Sequence, residues 1–174
     1  MIQYVSEANI SVSCIHDNRI SLHQVLIPVV CADKFYGRRE VNMNIGMIAH
    51  DSKKKLMQNF CIAYRGILSK HTLYATGTTG RLIEEVTNLT VHKYLAGHLG
   101  GEQQLGSQIE HNQMDLVIFL RDPLTPKSHE PDVNNIFQLC DKHNIPLATN
   151  LATAELIVKA LDRGDLDWRE LFKT

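Results

Sequence analysis

Five short apolar runs set what this chain folds into: NIGMIAH (44–50), HTLYAT (71–76), TVHKYL (90–95), DLVIFL (115–120) and IPLATN (145–150). Each has the length of a strand, and as a set they are apolar rather than alternating, the pattern of strands buried on both faces. The segments between them change period. In KKKLMQNFCIAYRGILSKH (53–71), Leu56, Met57, Phe60, Cys61, Tyr64, Ile67 and Leu68 fall on one helical face. RLIEEVTNL (81–89) carries Leu82, Ile83, Val86 and Leu89 as an inner stripe. EQQLGSQIEHNQ (102–113), weakened by Gly106, DVNNIFQLCDKHN (132–144) and TAELIVKALDRG (153–164), closed by Gly164, complete the helices. GTTG (77–80) reads as a turn. DPLTPKSHEP (122–131) reads as a loop, because its three prolines continue neither element. Strands that alternate with helices imply a parallel sheet with right-handed crossovers. The expected fold is α/β: three-layer, doubly wound and Rossmann-like, with a five-stranded, mainly parallel sheet.

Length and composition narrow the function. A chain of 174 residues holds one domain, with room for an appendage. Its 44% hydrophobic and 21% charged residues are those of a soluble globule. A net charge of −1, with Lys53–Lys55 as the only cationic run, lacks the basic surplus of a nucleic-acid binder. Cys14, Cys31, Cys61 and Cys140 form no C-x-x-C, which suggests buried free thiols in a reducing, cytoplasmic setting. No apolar run approaches the span of a bilayer, so neither a membrane nor a nucleic acid is expected as partner. Residues 1–42 read as a poorly defined N-terminal extension, and 43–174 as the domain. The most apolar piece of the extension, VLIPVVCA (25–32), is interrupted by Pro28 and preceded by Glu7 and Asp17, which disfavours a secretory signal. Edge strands, a loosely ordered leader, or translation upstream of a start at Met43 all fit it.

In a doubly wound sheet, ligands bind outside the carboxyl ends of the strands. His50 and Asp51 follow the first strand, Thr76 to Gly80 the second, and the Gly-Gly-Glu loop ending at Glu102 the third. Asp122 follows the fourth, with His129 and Asp132 beyond it, and Asn150 ends the fifth. The opposite loops are short. This asymmetry places the chemistry at one edge. TGTTG between a strand and a helix offers orphan amides and the hydroxyls of Thr78 and Thr79 to an anion; an ordinary threonine N-cap is the structural alternative. Lys54, in the first turn of the preceding helix, supports the anion reading, since a cation there opposes the helix dipole. Each acid has a plain alternative: Glu102 a favourable helix-start charge, Asp122 a turn initiator, Asp132 an N-cap. His50 and His129 satisfy loop hydrogen bonds in the plain reading. No Cys or His spacing calls for zinc, and no cofactor is implied. Together the anion cradle, carboxylates and histidines suit metal-free proton abstraction beside a carbonyl.

The segments IAHDSKK, LYATGTTG, GGEQQLG, DLVIFLRDPL, HEPDV and IPLATNLATAE resemble, in order, those of the methylglyoxal synthase family. The resemblance runs from about Met43 to the C-terminus. It implies cleavage of dihydroxyacetone phosphate to methylglyoxal and inorganic phosphate, through an enediolate and phosphate elimination. It also implies a homohexamer with phosphate as product, of a kind often inhibited by phosphate. Carried over by position, it implies that His50, Lys54, Thr76, Gly77, Thr78, Thr79, Ala96, Gly97 and His129 bind substrate. It implies further that Glu102, His129, Asp51, Asp122 and Asp132 make up the catalytic set. The family's base is an aspartate directly after Gly-Gly, where this chain has Glu102. Ala96 stands for the usual serine, and His98 for the usual proline. Related domains also serve as non-catalytic regulatory units that bind phosphorylated metabolites, as in carbamoyl phosphate synthetase; such a unit would keep the cradle and lose the acids.

Overall fold

In the computed structural model the described residues are 41–124 and 133–172. The N-terminal extension up to residue 40, and with it most of the expected 1–42 segment, lies outside them, as do His129 and Asp132. The five apolar runs form strands β1 (Asn44–Ala49), β2 (Thr72–Ala75), β3 (Val91–Lys93), β4 (Leu116–Leu120) and β5 (Leu147–Ala148). They make one sheet in the order β3-β2-β1-β4-β5. Every pairing is parallel, with Ile45 opposite both Leu73 and Leu116. The central strands β1 and β4 are buried nearly throughout, which is why their sequences do not alternate.

The helices are α1 (Lys54–Ala63), the single turn α2 (Arg65–Leu68), α3 (Gly77–Thr87), α4 (Gly101–Glu110), α5 (Val133–Lys142) and α6 (Leu151–Asp162). From β1 the chain winds outward through α1 and α3 to β3, then crosses back through α4 and α5 to β4 and β5. Right-handed crossovers in opposite directions put the helices on opposite faces. Accordingly, Met57, Phe60, Ile83, Ala154 and Val158 of α1, α3 and α6 pack with Ile45, Met47, Leu73 and Ile118 on one side. Leu105, Ile109, Ile136 and Cys140 of α4 and α5 pack with Ile48, Val117 and Phe119 on the other. The change of direction between β1 and β4 creates the crevice at which such sheets bind ligands.

Two local readings need correction, and one short element is added. Residues 77–80 are not a turn but the first turn of α3, entered directly from β2 through Thr76 at φ −62°, ψ 144°. A Cβ on Gly77 would lie 2.8 Å from the Tyr94 carbonyl oxygen. The glycine is needed there for close packing against the end of β3, not for a bend. The 53–71 helix is interrupted at Tyr64, φ −106° and ψ 18°, between α1 and α2. Finally, the chain adds a 3-10 helix at Asp167–Phe172 after α6, which lacks the periodicity that marks the longer helices.

Candidate active site

The residues predicted at the strand ends gather in two adjoining clusters. The first bridges the crevice between β1 and β4. His50 ends β1, and its amide donates to the Leu120 carbonyl at 3.1 Å. The Asp122 amide donates to His50 Nδ1 at 2.8 Å. Ser52, on the 3-10 turn Asp51–Lys53, donates from Oγ to Asp122 Oδ2 at 2.8 Å. Asp122 Oδ1 in turn accepts the Leu124 amide at 3.1 Å. The His50 ring meets Phe119 edge-on, with centroids 5.4 Å apart. Lys54, the first residue of α1, forms an ion pair with Asp51 one turn back. The like dipole of the helix start is thus offset by a neighbouring carboxylate.

The second cluster joins the ends of β2 and β3. Gly77 N donates to Leu95 O at 3.0 Å, which draws the loop after β3 onto the N-terminus of α3. The Thr78 and Thr79 amides, in the first turn of that helix, have no carbonyl four residues back within it. Thr76 Oγ1 donates to Thr79 Oγ1 at 3.2 Å, and both side chains are buried. Thr79 retains its own hydroxyl proton for a further acceptor. Thr78 is half-buried.

The loop then passes through Ala96, a 3-10 turn at Gly97–Leu99, and Gly100 in the left-handed region at φ 97°. Gly101 opens α4 with its Cα pressed on the preceding loop: a Cβ there would sit 1.9 Å from the Leu95 carbonyl oxygen. The Gly-Gly pair is therefore a fixed crossing with two separate requirements, not a loose hinge. Glu102 is half-buried in the first turn of α4, where the helix dipole favours a carboxylate. Its side chain folds back over the 3-10 turn, so that a Cβ on Gly97 would come within 3.0 Å of Glu102 Oε1. Bare Cα at Gly97 thus makes room for the longer arm of a glutamate. Behind the loop, Tyr94 lies against Tyr74 with ring centroids 6.0 Å apart, and burial followed by the neighbouring phenol pushes its hydroxyl up to about 12.

The structure therefore brings His50, Asp51, Lys54 and Asp122 together across one crevice, and Thr76, Gly77, Thr78, Thr79, Ala96, Gly97 and Glu102 beside them on adjacent strand ends. Two participants escaped the sequence reading. Ser52 lay within the quoted IAHDSKK, but nothing local shows that its partner is Asp122, 70 residues away. Gln104 fixes the β3 loop by accepting the Leu95 amide at 2.9 Å; a glutamine in the first turns of a helix was the available signal. On the α1–α6 side, a cleft of about 350 Å³ is lined by Lys53, Leu56, Leu120, Pro123, Thr149 and Asn150 among others; of the strand-end residues it takes in Asn150, and none of those the family resemblance implies as substrate-binding or catalytic. Among the described residues, no group of three His, Cys, Asp or Glu side chains is arranged to hold a metal ion.

Comparison with known proteins gives the arrangement a family. The MGS-like domain family matches residues 58–149. Methylglyoxal synthase of Caldicellulosiruptor saccharolyticus is 71% identical over 129 residues, 74% of this chain and 92% of that protein. Its counterpart in Alkaliphilus metalliredigens is 60% identical over 131 residues, 75% of this chain and 98% of that one. The crystal structure of methylglyoxal synthase from Elizabethkingia anophelis NUHP1 superposes with a TM-score of 0.64 at 44% identity, covering 67% of this chain and 77% of that chain.

Proposed function

Because the chain belongs to the methylglyoxal synthase family, we propose that it converts dihydroxyacetone phosphate to methylglyoxal and inorganic phosphate. The observation that carries this reading is the Glu102 carboxylate folded over Gly97, beside the amide-rich N-terminus of α3. The substrate has an anionic end and a C–H acidified by its carbonyl, and the two features suit those two ends. The Thr78 and Thr79 amides, the Thr79 hydroxyl and Lys54 hold the phosphate. The Glu102 carboxylate takes a proton from the hydroxymethyl carbon, and the electron pair moves onto the carbonyl oxygen as an enediolate. His129 donates to that oxygen. The enediolate then collapses. With the proton of the terminal hydroxyl moved to the central oxygen, the terminal oxyanion forms an aldehyde C=O. The enediolate C=C pair shifts to the next carbon–carbon bond, and the bond from the third carbon to the bridging phosphate oxygen breaks. The proton held by Glu102 passes to the departing phosphate, and the enol moves its hydroxyl proton to its terminal CH2 to give methylglyoxal. Lys54 opposes the charge on the departing phosphate, with Asp51 keeping its ammonium in place. Asp122, bonded to Ser52 and His50 across the crevice, and Asp132 are the remaining acids of the proposed set. No metal or organic cofactor enters this scheme. We place the catalytic unit at 43–174, and take the homohexamer as its assembly.

The test is to incubate purified protein with dihydroxyacetone phosphate and measure both products. Methylglyoxal and phosphate in equal amounts support the reading. Neither product would indicate a regulatory homologue that binds phosphorylated metabolites, and glyceraldehyde phosphate alone would indicate an isomerase. Glu102→Gln is expected to lower kcat by about 10²- to 10⁴-fold, the usual weight of a general base. Near-full turnover in that variant would assign the proton transfer to another group.

A further inference from the structure

We propose that Ser52 is a positioning residue that, acting through Asp122, holds His50 in the tautomer protonated at Nε2 and so makes it a hydrogen-bond donor to the substrate. This rests on the reading of His50 as part of the substrate site. The argument begins with one polar contact. A backbone N–H only donates, so His50 Nδ1, which receives the Asp122 amide at 2.8 Å, must carry no proton. The neutral ring then has its proton on Nε2. A ring flip would set a carbon against the Asp122 amide, and edge packing on Phe119 holds the plane as well. His50 therefore presents a donor, suited to a phosphate or carbonyl oxygen, and does not act as a proton acceptor.

What keeps the Asp122 amide aimed at the ring is the conformation of the residue that bears it. Asp122 lies just beyond β4 and outside its pairing register, so its orientation is not set by the sheet ladder. Two of the bonds that hold it are Leu124 N to Oδ1 at 3.1 Å, which is local, and Ser52 Oγ to Oδ2 at 2.8 Å, which comes from the turn after β1. The serine bond ties the two loops together across the crevice at the very place where the histidine ring bridges them. Loss of the hydroxyl removes the bond that ties the Asp122 carboxylate to the turn after β1, and so loosens the hold that keeps its amide aimed at Nδ1.

The experiment reads the tautomer directly. In protein labelled with ¹⁵N, the two ring nitrogens of His50 are assigned in wild type, Ser52→Ala and Ser52→Thr. KM and kcat for dihydroxyacetone phosphate, and Tm, are measured on the same samples. Wild type is expected to show an unprotonated Nδ1 and a protonated Nε2. Ser52→Ala is expected to draw the two shifts together and raise KM roughly 3- to 10-fold, the weight of one hydrogen bond, with kcat within about twofold and Tm unchanged. Ser52→Thr should restore both. A proton on Nδ1 in wild type overturns the proposal. So does any result in which the shifts and KM do not move together, or in which the loss follows Tm and threonine fails to rescue it. Should wild type make no methylglyoxal, the proposed function fails by itself. The tautomer measurement, with the dissociation constant of inorganic phosphate in place of KM, then still decides this inference.

Discussion

A methyl group on Gly101 would lie 1.9 Å from the carbonyl oxygen of Leu95, deep inside contact distance, and the obstacle is backbone. A methyl on Gly106, one and a half turns further along the same helix, would find only Leu139 Cδ1 at 4.0 Å. The two glycines of α4 thus have opposite meanings. Gly106→Ala replaces a poor helix former by the best one and should stabilise the protein by about 0.5–1 kcal/mol, read as a rise in Tm, with turnover unchanged. Gly101→Ala must push the β3 loop off the start of α4, and with it the Gly97 backbone on which the Glu102 carboxylate rests. A displacement of about 1 Å at a reacting group costs on the order of 10²-fold in rate, so this variant should lose most activity even where it still folds. Equal turnover in the two alanine variants would show that the crossing at Gly101 has no part in placing the acid.

At the scale of elements, the sheet and its helices were legible because burial on two faces leaves an apolar run that no other arrangement explains. Element ends were less so. The first turn of α3 looked like a turn because Gly77 and Gly80 are weak helix formers, and only the Tyr94 carbonyl and the Lys93 side chain packed against them give the reason. Likewise the strand-end acids and hydroxyls were legible through topology, whereas Ser52 was not, since its partner lies 70 residues on. The other edge of the sheet carries an element-level prediction. At the start of β2, His71 Nδ1 accepts the Met43 amide at 3.3 Å, which secures the entry to β1. Burial, and then Lys70, lower its pKa against the opposing pull of Asp162, Asp115 and Asp167. The folded state therefore keeps the ring neutral while the unfolded chain protonates it below about 6.5. Stability is full above that pH and is lost as pH falls below it, because the unfolded state then binds more protons. Tm should drop on going from pH 8 to 5.5, and drop less in His71→Asn, whose amide oxygen also accepts the Met43 amide. An equal drop in both proteins would remove His71 from the account.

For the molecule as a whole, the sheet separates two tasks. Its carboxyl edge carries the loops to which the proposed function assigns the substrate, and at its amino edge Arg169 is fully buried in the C-terminal 3-10 helix. The guanidinium donates to the carbonyls of His143 at 2.8 Å and Met114 at 3.0 Å, and to Asn112 Oδ1 at 2.7 Å. It thereby links the ends of α4 and α5 to the turn before β4. Burial works against its charge, and Asp115, 3.9 Å away, works in favour of it. Asp115 also accepts the Asn44 amide at 2.8 Å, so the same cluster reaches the start of β1. The planar fork matters more than the charge, because a lysine ammonium cannot meet acceptors spread over three segments. Arg169→Met leaves those acceptors in an interior without a donor and should cost about 3–5 kcal/mol, or on the order of 10 °C in Tm. Arg169→Lys should recover only part of that loss. Because the clamp lies at the edge opposite the crevice, kcat of either variant, assayed well below its Tm, should stay within about twofold of wild type, the weight of less than one hydrogen bond. A fall in kcat without a fall in Tm would mean that the C-terminal segment acts on the reaction itself rather than on the scaffold beneath it.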